Sequence, residues 1–419
     1  MNPRIKQLAK RLLRVFGIDP IHVSIWDIYT NDALALAHGV DCNPKDLRER
    51  QQNPDRVNPV VANRVCHWFL PHFDNPFYGG IMTILRLANH LQQTTGMKNR
   101  FFIYGSCDPA EIRNLIGKAW PKLGDSDVFA LDSNEAVAAI PPSDYSIATL
   151  WTTAYLVLGI KNTGLKFYMI QDFEPLFYPA GSTYAQAEFT YSFGFYGIAN
   201  TISLKEMYER DYGGKAVTLE PCIDTNIFHP GPQQTASQIR RLFYYARPGT
   251  PRNGFELAAQ ALKILKGRLG DNVDIICAGA NWKPADYGLE SVVRNIGLLP
   301  YEKTADLYRS CHAGLSMMMT KHPSYLPFEM MACGCLVVAN RNAANTWLLK
   351  DGENCLIAPP TAWSIADALE RALTDDEALQ KIRSEAITRI QMHHSDWNQS
   401  LGRVADFILG LAPLNRSAS

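Results

Sequence analysis

Twice along this chain the residue pattern runs strand, loop, helix, again and again, and a short stretch of Pro, Gly, Gln, Thr and Ser at 230–238 separates the two series. The first series opens at Arg64–Leu70, which reads as a strand. Tyr78-Gly79-Gly80 follows as a turn, and then Ile81, Ile84, Leu85, Ala88 and Leu91 recur at helical spacing. Further strands fit Arg100 to Tyr104, Tyr145 to Leu150, Lys166 to Gln171, Gly197 to Asn200 and Ala216 to Leu219. In the second series strands fit Arg241 to Ala246, Val273 to Ala278, Val293 to Ile296, Ala313 to Met317, Leu336 to Ala339 and Asn354 to Ile357. Helices fit Gly254 to Leu269, Thr304 to Ser310, Ala343 to Leu349, Ile365 to Leu373 and Trp397 to Leu411. Alternation of this kind demands parallel sheets covered by helices on both faces. The expected fold is therefore α/β, with two tandem Rossmann-like domains and a cleft between them.

A chain of 419 residues is long enough for two such cores. We expect an N-terminal helical and extended appendage over 1–58, a first domain over 59–229 and a linker at 230–238. A second domain over 239–392 and a C-terminal helix over 393–419 that crosses back to the first domain complete the division. Within the appendage, 41–58 reads as an extended connector. Pro3 to Phe16 reads as a basic amphipathic helix, with Ile5, Leu8, Leu12 and Val15 set against Lys6, Lys10, Arg11 and Arg14. Such a helix either touches an anionic membrane surface through residues 3–16 or packs its apolar side on the body; charged faces are more often just solvated.

Acidic and basic residues number 41 each, a balance unlike that of a nucleic-acid binder. The nine cysteines are odd in number and scattered, and several lie in apolar runs, which suits reduced thiols and a cytoplasmic location. Cys333-Gly334-Cys335 lacks a second ligand pair at zinc spacing. Asp125-Ser126-Asp127 reads as a polar turn before a strand-like Val128–Leu131. Neither suggests a metal, and no cofactor is expected.

Three stretches point to a diphosphate in the cleft. Gly79-Gly80, between strand and helix, lets backbone approach an anion at a helix N-terminus. Arg247-Pro-Gly-Thr-Pro-Arg252-Asn253-Gly254 follows the first strand of the second series, and its two guanidiniums suit phosphate oxygens. The third runs from Tyr325 to Ala339. Pro327 and Glu329 fall in a first helical turn, Gly334 ends the helix, and Leu336–Ala339 reads as a buried strand. A carboxylate there is placed to hold the hydroxyls of a nucleotide sugar. Asp172 and Glu174 are candidates to orient an acceptor hydroxyl, although Asp serves turns as readily. The aromatic run from Phe177 to Tyr196 either lines a sugar-stacking groove or fills the core.

The order of these stretches resembles the family 4 retaining glycosyltransferases of the GT-B fold. The likeness rests on Gly79-Gly80, the Glu220–Pro230 crossing segment with Asp224 and Phe228, the Arg247–Gly254 loop, Gly297–Pro300, and Pro327–Val338 with Glu329. Gln171–Pro175 and His322–Tyr325 are further similar to a bacterial branch of rhamnosyltransferases that use dTDP-L-rhamnose in building surface polysaccharides. The resemblance implies a nucleotide-sugar donor and a saccharide acceptor, with lipid linkage an option, and no metal. It assigns Arg247, Arg252 and Asn253 to the diphosphate and Glu329 to the pentose. Gly79 and Gly80 give room for the diphosphate, and Lys321, Ser324, Tyr325 and Leu326 complete the donor side. Arg247, Arg252 and Asp172 are the expected catalytic groups. One departure stands out: the family carries two glutamates eight positions apart, and the first falls on Lys321 here. Another nucleotide-sugar donor on the same fold, or a silent glycan-binding scaffold, are the competing readings.

Overall fold

A computed structural model describes residues 40–52, 64–231 and 239–411. The amphipathic helix expected over 3–16 and most of the 230–238 linker lie outside the described residues. Seven strands make the first sheet: β1 (Val65–Pro71), β2 (Lys98–Tyr104), β3 (Asp127–Leu131), β4 (Ser143–Ala148), β5 (Thr163–Ile170), β6 (Tyr196–Ala199) and β7 (Lys215–Thr218), in the order β3-β2-β1-β4-β5-β6-β7. Six make the second: β8 (Arg240–Tyr245), β9 (Val273–Ala278), β10 (Arg294–Asn295), β11 (Ala313–Ser316), β12 (Leu336–Asn340) and β13 (Leu356–Ala358), in the order β10-β9-β8-β11-β12-β13. The strand pairs of both sheets run parallel, with Trp68 opposite Phe101 on one side and Ile147 on the other. Strand order reverses beside β1 and again beside β8. In parallel α/β sheets that reversal opens a crevice at the carboxyl ends of the strands. The Gly79-Gly80 turn follows β1, and the Arg247–Gly254 loop follows β8, so each leads from its own crevice.

Alternate strand residues feed different layers, as a sheet covered on both faces requires. Trp68, Phe101, Ile147 and Phe167 pack beneath the Gly79–Thr95 helix. Phe69, Phe102 and Tyr168 face the other way, against Trp151, Tyr191 and Phe195. The aromatic run is thus mostly core: Tyr191, Phe193, Phe195 and Tyr196 are buried, while Phe189 is exposed. The Trp397–Gly410 helix starts on an Asp396 cap, whose carboxylate accepts from the Gln399 amide. Its Leu401, Val404, Ala405 and Ile408 are buried in the first-lobe core.

Several local readings change. Residues 44–52 form a helix and not an extended connector. It has no apolar stripe to betray it; Arg50 is buried and its guanidinium donates twice to the Gly194 carbonyl, at 3.1 and 2.8 Å. The helix expected over Ala343–Leu349 is a single 3-10 turn, Ala343–Asn345. Asn342 caps it, its side chain accepting from the Ala344 amide at 3.0 Å. The Asp376–His393 helix went unread. Ile223 and Phe228 sit in the second-lobe core, so the crossing segment belongs with that lobe. It is zipped to the return crossing, where the Ile223 amide donates to the His394 carbonyl at 2.9 Å and the His394 Nδ1 lies 2.9 Å from the Pro221 carbonyl oxygen.

Candidate functional site

The β8 loop is stiff. Thr250 donates to the Arg247 carbonyl at 2.9 Å, a 3-10 turn covers Pro251–Asn253, and the Met319 amide donates to the Arg252 carbonyl at 2.8 Å. Gly254 has φ +57°, and a Cβ on it would stand 2.7 Å from the Met319 methyl. Only glycine suits that corner. Arg252 reaches the opposite lobe, with its guanidinium carbon 4.6 Å from the centre of the Phe177 ring. Burial pulls Arg252 below its ordinary value; the Asp172 charge opposes this and the Arg247 charge adds to it. An arginine remains a cation through such shifts. The charge of Arg247 is also felt at first-lobe Tyr78, where it opposes a rise caused mainly by burial. Two neighbouring cations thus face the cleft, and neither forms an ion pair within the described residues.

Across from them the Gly79–Thr95 helix begins without a side-chain cap on its first amides. Such an end favours an anion. Its glycines are crowded for a reason: a Cβ on Gly79 would meet the Tyr325 ring at 3.4 Å, and one on Gly80 the Gln171 amide at 3.5 Å. Thr83 donates to the Gly79 carbonyl at 2.7 Å and receives the Tyr325 hydroxyl at 2.8 Å, which ties the two lobes. Tyr325 leads into the Leu326–Ala332 helix, with Pro327 in its first turn and Gly334 at φ +77° just past its end. Glu329 is half-buried in that helix and accepts from the Tyr308 hydroxyl at 3.3 Å. Burial, with a smaller push from Asp224, lifts its carboxyl to about 8.

Asp172 and Glu174 do not have the surroundings expected of acceptor-binding groups. Glu174 is 2% exposed. Its carboxylate accepts from the Trp151 amide at 2.6 Å and the Tyr168 hydroxyl at 3.1 Å. It thereby caps the Trp151–Gly159 helix, whose own N-cap Leu150 has no polar side chain. Asp172 is also buried, and both its oxygens are engaged: Oδ2 accepts from Thr320 Oγ1 at 2.6 Å, Oδ1 from the amides of Phe173, Lys321 and His322 at 2.7, 3.1 and 3.1 Å. Lys321 differs from expectation as well. Its ammonium stands 4.5 Å from the Phe173 ring centre and 3.5 Å from Met207 Sδ, both first-lobe residues. Its side chain is turned to the other lobe. Asn253 is buried, Ser324 has φ +67°, and Leu326 is buried at the start of its helix.

Sequence reading missed Thr83 and the Arg86 cluster, and it set Phe177 in the aromatic run without Arg252 as its partner. Arg86 pairs with Asp224 at 2.8 Å, where Tyr301 also donates at 2.9 Å, and its guanidinium lies 4.4 Å from Trp397 and 5.2 Å from Trp120. A lone arginine on an amphipathic helix carries no signal of such a partner set. Asp127, expected in a polar turn, is the first residue of β3 and pairs with Arg100 on β2 at 3.3 Å.

This is the GT-B fold: two Rossmann-like lobes, a cleft at their switch points, and a final helix returned to the first lobe. Residues 70–201 match the family model of the WsaF N-terminal domain, and residues 240–370 that of the WsaF C-terminal domain. The O-antigen biosynthesis protein RfbC of Myxococcus xanthus is 42% identical over 390 residues, which is 93% of this chain but 29% of that protein. This chain thus spans under a third of that relative. Among solved structures, HepE of Anabaena in complex with UDP is 16% identical with a TM-score of 0.62, over 82% of this chain and 99% of that one. The sucrose-phosphate synthase of Thermosynechococcus elongatus is 13% identical with a TM-score of 0.61, over 82% and 98%.

Proposed function

We propose that this protein is a retaining glycosyltransferase that moves a sugar from a nucleoside-diphosphate donor to a growing bacterial surface glycan. The observation that carries this reading is the pair Arg247 and Arg252, two cations without ion-pair partners in the described structure, opposite an uncapped helix start at Gly79. A leaving diphosphate gains negative charge as the glycosidic bond breaks, and preorganised cations stabilise that charge in the transition state more than in the ground state. Glu329 holds the pentose hydroxyls, and its raised carboxyl both donates and accepts near neutral pH. Asn253 stiffens the arginine loop, and Ser324, Tyr325 and Leu326 bring backbone to the donor side. The likeness to the O-antigen protein RfbC supports the glycan acceptor. Phe77, Tyr78 and Tyr104, at 39, 40 and 38% exposed, are first-lobe rings on which a saccharide can stack. No helix among the described residues is long and apolar enough to cross a membrane.

For the donor we propose dTDP-L-rhamnose, on the motif similarity of Gln171–Pro175 and His322–Tyr325. A UDP-sugar is the second reading, favoured by the fold shared with HepE, which was solved with UDP. Thermal shift against dTDP, UDP, GDP and their sugar conjugates decides between them. A ligand at 100 times its Kd adds about 2.7 kcal/mol, so selective stabilisation by dTDP and dTDP-L-rhamnose is the expected result. Stabilisation by UDP alone overturns the donor, and silence toward every nucleotide overturns the activity. Arg252→Ala should lower turnover roughly 100-fold, the scale of about 3 kcal/mol of lost transition-state stabilisation, with the fold intact by circular dichroism. Unchanged turnover would remove Arg252 from the mechanism.

A further inference from the structure

The stretch Thr320–Tyr325 has a backbone that its own lobe does little to hold. Ser324 occupies the left-handed region at φ +67°, costly for a residue other than glycine. Inside the lobe, the Ser324 amide donates to His322 Nδ1 at 2.9 Å, and Asn342 Nδ2 donates to the Thr320 carbonyl at 2.6 Å. The Tyr325 carbonyl accepts from the Glu329 amide at 3.1 Å as the next helix begins. The further side-chain anchors come from the first lobe. At one end Asp172, two residues past the end of β5, accepts from Thr320 Oγ1, the Lys321 amide and the His322 amide. At the other end Thr83 accepts from the Tyr325 hydroxyl. Between them the Lys321 ammonium rests over Phe173. The Asp172 carboxylate takes three donors from the facing lobe and one from its own, three of the four on Oδ1 and one on Oδ2. Charge-assisted bonds of this kind are about twice as strong as neutral ones.

We propose that Asp172 is a positioning residue that gives the Thr320–Tyr325 loop its working shape only when the two lobes are closed, so that closure itself assembles the donor side of the cleft. The inference rests on the glycosyltransferase reading for its consequence, and on geometry alone for the latch. Three features support it. The loop feeds directly into the helix that carries Glu329, so its shape sets where that carboxylate stands. The Asp172 charge is felt at Arg252, which links the latch to the diphosphate cations. And Lys321 is spent on the same lobe contact, its ammonium over Phe173. When the lobes part, Asp172 loses three donors at once, and the loop loses the support for its left-handed corner.

The experiment pairs hydrogen–deuterium exchange with ligand titration in wild type, Asp172→Asn, Asp172→Ala and Thr320→Val. The Lys321 and His322 amides should exchange at least tenfold faster in Asp172→Ala, with protection in β1 and β8 unchanged. Asp172→Asn, which keeps one carbonyl acceptor, should fall between. Thr320→Val removes one bond from the second-lobe side without touching the carboxylate, and should act in the same direction. Dissociation constants for the nucleoside diphosphate found by thermal shift should rise at least tenfold in Asp172→Ala. In turnover, KM for the donor should rise more than kcat falls, which a merely structural defect would not produce. Unchanged exchange at 321 and 322 in folded Asp172→Ala or Thr320→Val overturns the latch. If exchange rises but wild type binds no nucleotide, the latch stands and the donor reading falls.

Discussion

Burial lifts the Glu174 carboxyl to about 8, because its two hydrogen bonds only partly offset the loss of water. In the unfolded chain the same group titrates near 4.5. Between those values the unfolded chain releases a proton that the folded protein keeps, so this group makes stability fall as pH rises through the window. Glu174→Gln removes that dependence. The stability of the variant relative to wild type should therefore improve steadily from pH 5 to pH 8 in urea denaturation. Glu329 and the buried histidines titrate in both proteins and cancel in the difference. A gap independent of pH would mean that Glu174 is ionised in its pocket. Glu329, lifted as far by burial, has one hydrogen bond from Tyr308 and remains half-buried, which suits the ligand-binding role proposed for it better than a capping one.

The elements legible in the sequence were those with strong periodicity. β9 was read to the residue, and the Phe255–Leu269 and Trp397–Gly410 helices nearly so, because each buries a regular apolar set. The place of the Arg247–Gly254 loop after β8 and of Glu329 in a first helical turn was also legible, since Gly and Pro at strand and helix ends carry a physical meaning of their own. The Pro44–Gln52 helix was not, because it is polar throughout and its anchor is Arg50. Asp172 was legible as a residue but its cross-lobe partners were not; they lie 148 to 150 positions away, where spacing gives no guide. The Leu326–Ala332 helix depends on such distant ties as well. Tyr325→Phe removes the hydroxyl that joins it to the Gly79–Thr95 helix and should cost about 1 kcal/mol. Thermal unfolding would show the loss, and an unchanged midpoint would mean that the two helices are held by packing alone.

Both lobes depend on two crossings. Residues 220–224 leave the first lobe, residues 394–396 return to it, and the two segments bond to each other beside the Arg86–Asp224 pair. The returning helix contributes Leu401, Val404 and Ile408 to the first-lobe core, on the order of 2 kcal/mol each. That is comparable with the whole stability of an ordinary domain, about 5–15 kcal/mol. A chain ended at residue 395 should therefore lose cooperative unfolding of the first lobe, seen as rapid proteolysis within 64–219, while the second lobe keeps its protected core. If both lobes stayed resistant, the helix would be an ornament on a self-sufficient domain. The same arrangement has a bearing on birth as well as on stability. On the ribosome the first lobe emerges early but lacks a wall of its interior until nearly two hundred further residues have been made. It must wait, half-built, for the second lobe to be translated, and a chaperone that shields apolar surface has its natural client in that interval.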